Sequence, residues 1–372
     1  MYPCPTIFPV AKTLVGDSHD VDPCEGLAIV LPYTWQQCQH SANFGRFLRW
    51  YFSVVGTMND FGLVRAMLND QVVLEHTEAF CEALGRLFER DEDHYREAIL
   101  PYVQSFGPLS LSVDTQDLNA RLWHWSRLFG MDVPIELVFR EPKVTAQEQW
   151  FEMVPLRIVS LTSPEALSVR AAVVERLPYL RRLRGVFLHH HAIKVLRQRN
   201  MVIDELGLNY GQVDAKSLKM LFDVVPEGGR LRLDDVCVTS KALERIFEHF
   251  GHVQLHGVTT SRKATRSVVR DKCFVTTHLS IKQHRMWSKT LDFTWRHFMD
   301  VEPVLEHIEV DVLDEHHNML VNAAQRGSLD KLQSLIVHRV AARYVLDDVL
   351  KHASNLQTVI IGGQVHPDFV GV

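Results

Sequence analysis

The most regular feature of the chain is a short pattern of apolar and polar positions, apolar-x-x-apolar-x-apolar, that recurs from about residue 105 onward. The clear copies are Leu183/Val186/Leu188, Ile203/Leu206/Leu208, Phe250/Val253/Leu255, Leu305/Ile308/Val310, Leu332/Leu335/Val337 and Leu356/Val359/Ile361. Looser copies are Phe106/Leu109/Leu111, Leu137/Phe139, Leu156/Val159/Leu161, Leu231/Leu233 and Leu279/Ile281. Because such alternation is typical of a strand with one buried face, we predict a short β-strand at each copy.

The spacing of these copies indicates a repeat architecture. Their last apolar residues stand at positions 111, 139, 161, 188, 208, 233, 255, 281, 310, 337 and 361. The ten intervals between position 111 and position 361 therefore average 25 residues. A run at Leu291/Phe293 does not fit, which leaves the register between residues 281 and 310 open. Eleven strand patterns at such intervals favour repeating units that stack on one another to bury a common core.

Segments between the copies have the apolar spacing of helices. Three such stripes are Leu218/Leu221/Phe222/Val225, Leu243/Ile246/Phe247/Phe250 and Leu346/Val349/Leu350/Ala353. Thr239 or Ser240 suits the N-cap of the second helix, and Gly251 suits its end. Each unit is therefore predicted to be strand, turn, helix, turn. A doubly wound sheet is disfavoured, because that fold has longer apolar strands and a glycine-rich phosphate loop, and neither occurs here.

In its short strands, their spacing and the intervening helices, the region of residues 105–372 resembles the leucine-rich-repeat family in its irregular form, with F-box-type and ribonuclease-inhibitor-like repeats. The resemblance implies an α/β solenoid of about 11 strand-turn-helix repeats over residues 106–372. It also implies a protein-binding role, and chains of this family often serve as substrate receptors of ubiquitin ligases. Those receptors carry a helical F-box before the repeats, whereas Leu31-Pro32 and the following residues match its consensus poorly.

Residues 1–105 differ in pattern from the repeats. Residues 1–40 mix five prolines with three cysteines, and helical stripes follow at Phe47/Leu48/Tyr51/Phe52/Val55 and Phe80/Ala83/Leu84/Leu87/Phe88. An uncapped solenoid end exposes apolar core. We therefore predict that residues 1–105 form a mostly helical capping region, with degenerate helix-rich repeats as the alternative.

Composition and charge narrow the function classes. Hydrophobic content of 46% and charged content of 23% are ordinary for a globular protein, and a net charge of -5 argues against a globally basic nucleic-acid binder. The six cysteines form no CxxC pair, and Asn-x-Ser/Thr is absent, which favours a reducing compartment. No apolar run is long enough to span a bilayer. We expect an intracellular protein, cytoplasmic or nuclear, with no membrane association.

Motifs of catalysis are absent from the sequence. Histidine is abundant, with 20 residues, and it clusters at His189–His191 and at His316–His317. However, HExxH, GxSxG, GxxxxGK[ST] and GxGxxG do not occur. Adjacent strand residues point to opposite faces, so the histidine triple cannot chelate one ion by itself. We therefore predict no catalytic, cofactor or metal site.

The predicted binding surface is the concave face of the sheet. In each strand pattern the residue between the last two apolar positions, and the one after them, should face away from the core. These residues are Phe187, His189, Asn209, Arg232, Asp234, Gln254, His256, Ser280, Lys282, Glu309, Asp311 and His338. Phe187 would be the apolar anchor. Because the middle of this set is polar to basic and Glu309 and Asp311 are acidic, the partner segment would be acidic near its centre and basic or polar at one end. A secondary basic patch comprises Arg262, Lys263, Arg266, Arg270 and Lys272.

The sequence therefore predicts a noncatalytic adaptor or scaffold, a subunit of a hetero-complex that holds a protein partner on this face. Two alternatives stay open. One is a substrate receptor of a ubiquitin ligase, and the other is a structural subunit of a large assembly, with RNA bound through the basic patch.

Overall fold

The computed structural model describes residues 60–69, 73–152, 154–213, 215–260, 273–282, 294–298 and 302–366. These residues form a mixed α/β structure whose 14 strands belong to a large, open and mostly parallel sheet. The chain divides into two compact units, unit 1 (residues 1–141 and 149–159) and unit 2 (residues 142–148 and 160–372). The helical stripe predicted at Phe47 to Val55 lies outside the described residues.

Unit 1 combines helices with two parallel strands. Its elements are α1 Asp60–Asn69, α2 Thr77–Arg90, α3 Glu92–His94, a π-helical turn Tyr95–Ile99, α4 Leu100–Ser105, β1 Leu109–Val113, a 3-10 turn Thr115–Asp117, α5 Leu118–Phe129 and β2 Pro134–Phe139. The predicted helix at Phe80 is confirmed as α2, which buries Phe80, Ala83, Leu84 and Phe88. Its Thr77 hydroxyl accepts a hydrogen bond from the Ser112 amide of β1 at 2.9 Å.

Helix α5 places its two tryptophans in different surroundings. Trp125 and Phe129 are buried, whereas Trp123 is 61% exposed under the Arg127 guanidinium. Positions two apart lie on opposite sides of a helix, so Trp123 and Trp125 cannot share one buried face.

From residue 142 onward, strands alternate with helices. The elements are β3 Lys143–Thr145, a 3-10 turn Glu148–Phe151, β4 Arg157–Val169, α6 Ala171–Arg176, β5 Arg182–Leu188, α7 His190–Gln198, β6 Glu205–Val213, α8 Ala215–Phe222, β7 Arg230–Val238, α9 Ser240–His249, β8 His252–His256, β9 Thr259–Thr260, β10 His278–Lys282, β11 His307–Leu313, a 3-10 turn Glu315–His317, α10 Asn318–Gln325, β12 Ser334–Val340, α11 Arg343–His352, β13 Thr358–Ile361 and β14 Gln364–Val365.

The strands of unit 2 lie in the order β4-β5-β6-β7-β8-β10-β11-β12-β13-β14, with β3 beside β4 and β9 beside β7. Pairing is parallel except between β13 and β14. All eleven sequence positions predicted to lie in strands do so, and from β6 to β13 they share one row: Leu208, Leu233, Leu255, Ile281, Val310, Val337 and Ile361. The register left open between residues 281 and 310 is direct, because Ile281 pairs with Val310.

The core of unit 2 lies between the buried face of these strands and the apolar stripes of the helices. In α9, Leu243, Ile246 and Phe247 are fully buried, together with Phe250 just after the helix. The Thr239 hydroxyl caps this helix by accepting a hydrogen bond from the Ala242 amide at 3.2 Å. The predicted helix and its N-cap are therefore confirmed.

Candidate functional site

The face of the unit 2 sheet opposite the buried apolar residues carries polar side chains in rows across the strands. We call it the polar face and define it by three rows. The first row is Arg182, Glu205, Arg230, His252, His278 and His307, the second is Gly207, Arg232, Gln254, Ser280 and Glu309, and the third is Asn209, Asp234, His256 and Lys282. Parallel pairing in a constant register creates these rows, because side chains on one face of neighbouring strands come to lie side by side.

Most of the residues predicted for the binding face lie on these rows. Arg232, Gln254, Ser280 and Glu309 are consecutive partners in the second row, and Asn209, Asp234, His256 and Lys282 are consecutive partners in the third. Asp311 and His338 follow on β11 and β12 on the same face. Their burial differs, since Gln254 is exposed and Asn209 is buried.

The register at β5 differs from the expected one. The sequence pattern aligned Leu188 with Leu208, whereas Val186 pairs with Leu208 because β5 has an irregularity between Leu183 and Val186. Gly185 lies there at φ +64, and a Cβ on it would stand 2.1 Å from the Ser163 carbonyl oxygen, so only glycine fits.

In consequence, Phe187 and His189 do not occupy the positions in the rows that the sequence pattern predicts. Phe187 extends the third row instead of the second, and His189 lies beyond the strand as the residue before α7. There its Nε2 is 2.9 Å from the Ser168 hydroxyl, and its ring meets the edge of Phe187 at 5.1 Å.

A hydrogen-bonded triad occupies the middle of the polar face. The Arg232 Nε donates to both Asp234 carboxylate oxygens at 2.8 and 3.1 Å, and the His256 Nδ1 lies 2.7 Å from Asp234 Oδ1. Burial acts to raise the pKa of Asp234, but the hydrogen bonds from His256 and Arg232 outweigh it and hold that pKa below its usual value. The carboxylate is therefore ionised at neutral pH and fixed in position by its two partners.

Two other carboxylates of the polar face are paired in the same way. Glu205 accepts two parallel hydrogen bonds from Arg184 at 2.6 and 2.7 Å, and Glu309 lies 2.8 Å from the His338 Nε2. For both carboxyl groups burial acts to raise the pKa, and the hydrogen bonds from Arg184 and from His338 lower it further than burial raises it. Both carboxylates are therefore ionised at neutral pH and held by hydrogen bonds.

Three histidines in the first row were not recognised from the sequence as a group. His252, His278 and His307 occupy the first position of β8, β10 and β11, and their rings stack at centroid distances of 4.0 and 4.1 Å with interplanar angles of 24° and 28°. The available signal was a histidine three residues before the last apolar position in three successive strand patterns. Burial, reinforced by the neighbouring imidazoles and Arg230, lowers the pKa of His278 to about 4 and also lowers that of His252.

The stacked arrangement does not suit a metal ion. Rings that lie face to face direct their nitrogens side by side, whereas a metal needs three or four ligand atoms converging on one point. Among the described residues, no group of three or more His, Cys, Asp or Glu side chains has an arrangement that could hold an ion.

A cavity of about 130 Å³, lined mainly by apolar side chains, lies beside Phe187 between β5, β6 and the helices α7 and α8. Its walls are Val186, Phe187, Leu188, His190, Ile193, Leu208, Gly211, Val213, Met220 and Leu221. Phe187 is 42% exposed, and its ring passes over Gly211, where a Cβ would stand 3.6 Å from the ring. The predicted apolar anchor is therefore exposed and has an apolar recess beside it. The secondary basic patch, Arg262 to Lys272, lies outside the described residues.

Comparison with known proteins gives no further assignment: neither a known protein family nor a curated protein sequence matches this chain. None of the helices in the described part of the chain is both long and apolar enough to cross a membrane.

Proposed function

We propose that unit 2 is a leucine-rich-repeat-like solenoid and that the protein is a noncatalytic adaptor or scaffold, which holds a protein partner on its polar face. The observation that carries this proposal is the division of the sheet into two faces. Leu231, Val253, Leu279, Ile308 and Leu335 form a row with at most 1% exposure, while the residues alternating with them are polar except for Ile336 and are at least partly accessible except for Ser280.

The repeated strands and helices support the solenoid interpretation. Each strand from β5 to β8 is followed by its neighbour in the sheet, and helices α7, α8 and α9 connect them. A lone strand and helix cannot bury their apolar faces, so stacking of such units is what creates the core. The strand face away from the helices is then the extended surface on which proteins of this architecture bind partners.

The chemistry of the polar face supports protein binding. Interfaces gain most of their affinity from a few aromatic or arginine residues, with polar groups around them that fix orientation. Phe187 beside its apolar cavity would provide such an anchor, and the Arg232–Asp234–His256 triad would present charges already held in place. Preorganised charges lose little side-chain freedom on binding, which favours a specific partner.

The two alternatives depend on other parts of the chain. A ubiquitin-ligase role would involve the N-terminal residues, and an RNA role would involve the basic patch from Arg262 to Lys272, both outside the described residues. In the test below they appear as distinct outcomes, a ligase subunit or RNA in the captured material.

The test is affinity capture with the full chain from its native cells, followed by mass spectrometry. We expect a stoichiometric protein partner whose affinity falls by about 1–3 kcal/mol when Arg232→Glu and Lys282→Glu are combined. The matched control is Lys241→Glu with Arg245→Glu, the same charge change on helix α9. Thermal unfolding of both variants checks that each is folded.

Undiminished capture by the Arg232/Lys282 variant would refute the polar face as the interface. Capture that requires intact RNA and falls steeply with salt would instead favour the ribonucleoprotein alternative.

A further inference from the structure

The three stacked imidazoles of His252, His278 and His307, which we call the histidine column, form a surface feature that the proposed function does not by itself explain. One imidazole comes from each of three adjacent parallel strands, and all three side chains are partly exposed on the polar face. The column continues into Arg230 on β7 at one end and Ser334 on β12 at the other. Hydrogen-bond donors are thus aligned across five strands.

The hydrogen bonding of the middle ring leaves one nitrogen for a ligand. The Thr277 hydroxyl lies 2.8 Å from the His278 Nδ1. In a neutral imidazole that accepts at Nδ1, the Nε2 carries the proton and can donate it outward. In this tautomer an approaching anion meets a donor even before any imidazole is charged.

The column is unfavourable for positive charge as long as no anion is present. Rings 4.0 to 4.1 Å apart repel one another strongly when protonated, and Arg230 adds a further positive charge. The lowered pKa of His278, to about 4, is the consequence of partial burial and of this repulsion. A carboxylate laid across the rings would remove the repulsion and convert neutral hydrogen bonds into stronger, charge-assisted ones.

Other titratable groups on the same face decide which kind of anion fits. Those on the strands packed around the column are Arg230, Arg232 and Asp234 from β7, His256 from β8, Lys282 from β10, Glu309 and Asp311 from β11, and His338 from β12. Asp234 and Glu309 would repel a continuous polyanion such as a nucleic-acid backbone. A peptide can place carboxylates at the column and other side chains opposite the acids, so the face favours an acidic peptide over RNA.

We propose that the histidine column with Arg230 binds carboxylates of an acidic, extended segment of the protein partner and takes up protons as it does so. This inference rests on the proposed function, because it assigns the chemistry of the partner segment that the polar face holds. The affinity for the partner then rises as the pH falls below neutral, since each proton taken up on binding adds about a tenfold gain per pH unit.

The experiment uses the full chain and a rhodamine-labelled peptide of alternating glutamate and threonine, with alternating glutamine and threonine as the neutral comparison. Fluorescence anisotropy measures affinity between about pH 7.5 and about pH 5.5, where glutamate remains ionised. Calorimetry in buffers of different ionisation enthalpy counts the protons taken up. A single-stranded oligouridine of similar length represents RNA.

Wild-type protein should bind the acidic peptide at least about tenfold more tightly at the lower pH, with net proton uptake. His252→Gln, His278→Gln and His307→Gln together should remove the pH dependence, and His278→Gln alone should reduce it if the triple variant is unstable. The matched control, His94→Gln with His191→Gln and His316→Gln, changes three exposed histidines elsewhere and should behave as wild type.

Three results of the peptide experiment would overturn the inference. The first is equal binding of the acidic and the neutral peptide, and the second is a pH dependence that persists in the triple column variant. The third is histidine-dependent binding of oligouridine with no binding of the acidic peptide, which would assign the column to nucleic acid. The proposed function is judged separately: native-partner capture that is lost in the Arg232/Lys282 variant but unchanged in the column variant would leave it standing and refute the column alone.

Discussion

The two faces of the unit 2 sheet are built on opposite principles. The buried face consists of aliphatic side chains that pair like with like across strands, as in the row from Leu233 through Leu255 to Val310. The polar face instead combines unlike polar side chains across strands, as in the Arg232–Asp234–His256 triad, with a row of stacked imidazoles. The comparison indicates that the buried face carries most of the stability of the fold, which leaves the polar face available for the partner binding proposed above.

The largest effect expected from this division is on the buried face. Leu233→Ala removes a fully buried side chain from the centre of the sheet and should lower the free energy of unfolding by about 2–5 kcal/mol, because a cavity remains. Urea denaturation measures the loss. Gln254→Ala, on the neighbouring strand but exposed on the polar face, is the control and should stay within about 0.5 kcal/mol of wild type. Similar losses for both would remove the distinction between the faces.

A slightly smaller effect is expected at the bulge of β5. Gly185→Ala would place a Cβ 2.1 Å from the Ser163 carbonyl oxygen and should destabilise by about 1–3 kcal/mol through backbone strain, with further loss from the clash. Gly228→Ala is the matched control, since Gly228 also has a positive φ, of +78, but open space around it. Equal losses of stability in the two variants would show that the close approach in β5 is unimportant.

The triad on the polar face should contribute less to the free energy of unfolding than Leu233 or Gly185. Asp234→Asn weakens the bonds to Arg232 and His256 and should destabilise by about 1–2 kcal/mol at neutral pH. Because the pKa of Asp234 is lowered in the folded state, its contribution is present above about pH 4 and is lost as the pH falls through the folded value. Stability curves of wild type and Asp234→Asn should therefore converge in acid. Parallel curves down to strongly acidic pH would contradict the pairing.

The histidine column predicts loss of stability in a different pH window. The pKa of His278 is lowered from 6.5 to about 4 on folding, so folding favours the neutral ring. Its contribution is full above about pH 6.5, where the ring is neutral in both states, and declines as the pH falls toward 4. Melting temperatures of wild type should fall more steeply over this window than those of His278→Gln. Identical slopes would mean that the ring is not held neutral by its neighbours.

The smallest effect on stability is expected at the exposed edge of the polar face formed by His338 and Glu309. The His338–Glu309 pair is substantially exposed, so His338→Gln should change stability by less than about 1 kcal/mol, as is usual for accessible ion pairs. Chemical denaturation would detect a larger change. A loss of stability as great as that of Asp234→Asn would contradict this expectation and show that the His338–Glu309 pair stabilises the fold as much as the triad does.

The same contrast between faces explains what the sequence could predict. Strand positions follow from the local alternation of apolar and polar residues, so all eleven predicted positions lie in strands. The apolar stripe of α9 and its Thr239 N-cap could be predicted for the same reason, because both depend on residues that are close in sequence. The offset at Phe187 was missed because it depends on a bulge, and the bulge depends on how closely Gly185 approaches Ser163. The stacking of His252, His278 and His307 depends on the register among three strands, which a local pattern does not specify.

The central claim is that the polar face of unit 2 is the surface that holds the partner. The most direct measurement is site-specific photo-crosslinking in native extract, with the photoreactive residue placed either at Gln254 on β8 or at Lys241 on helix α9, both exposed. We predict that position 254 crosslinks to the stoichiometric partner and that position 241 does not. Crosslinking from position 241 alone would contradict the claim and move the interface to the helical side.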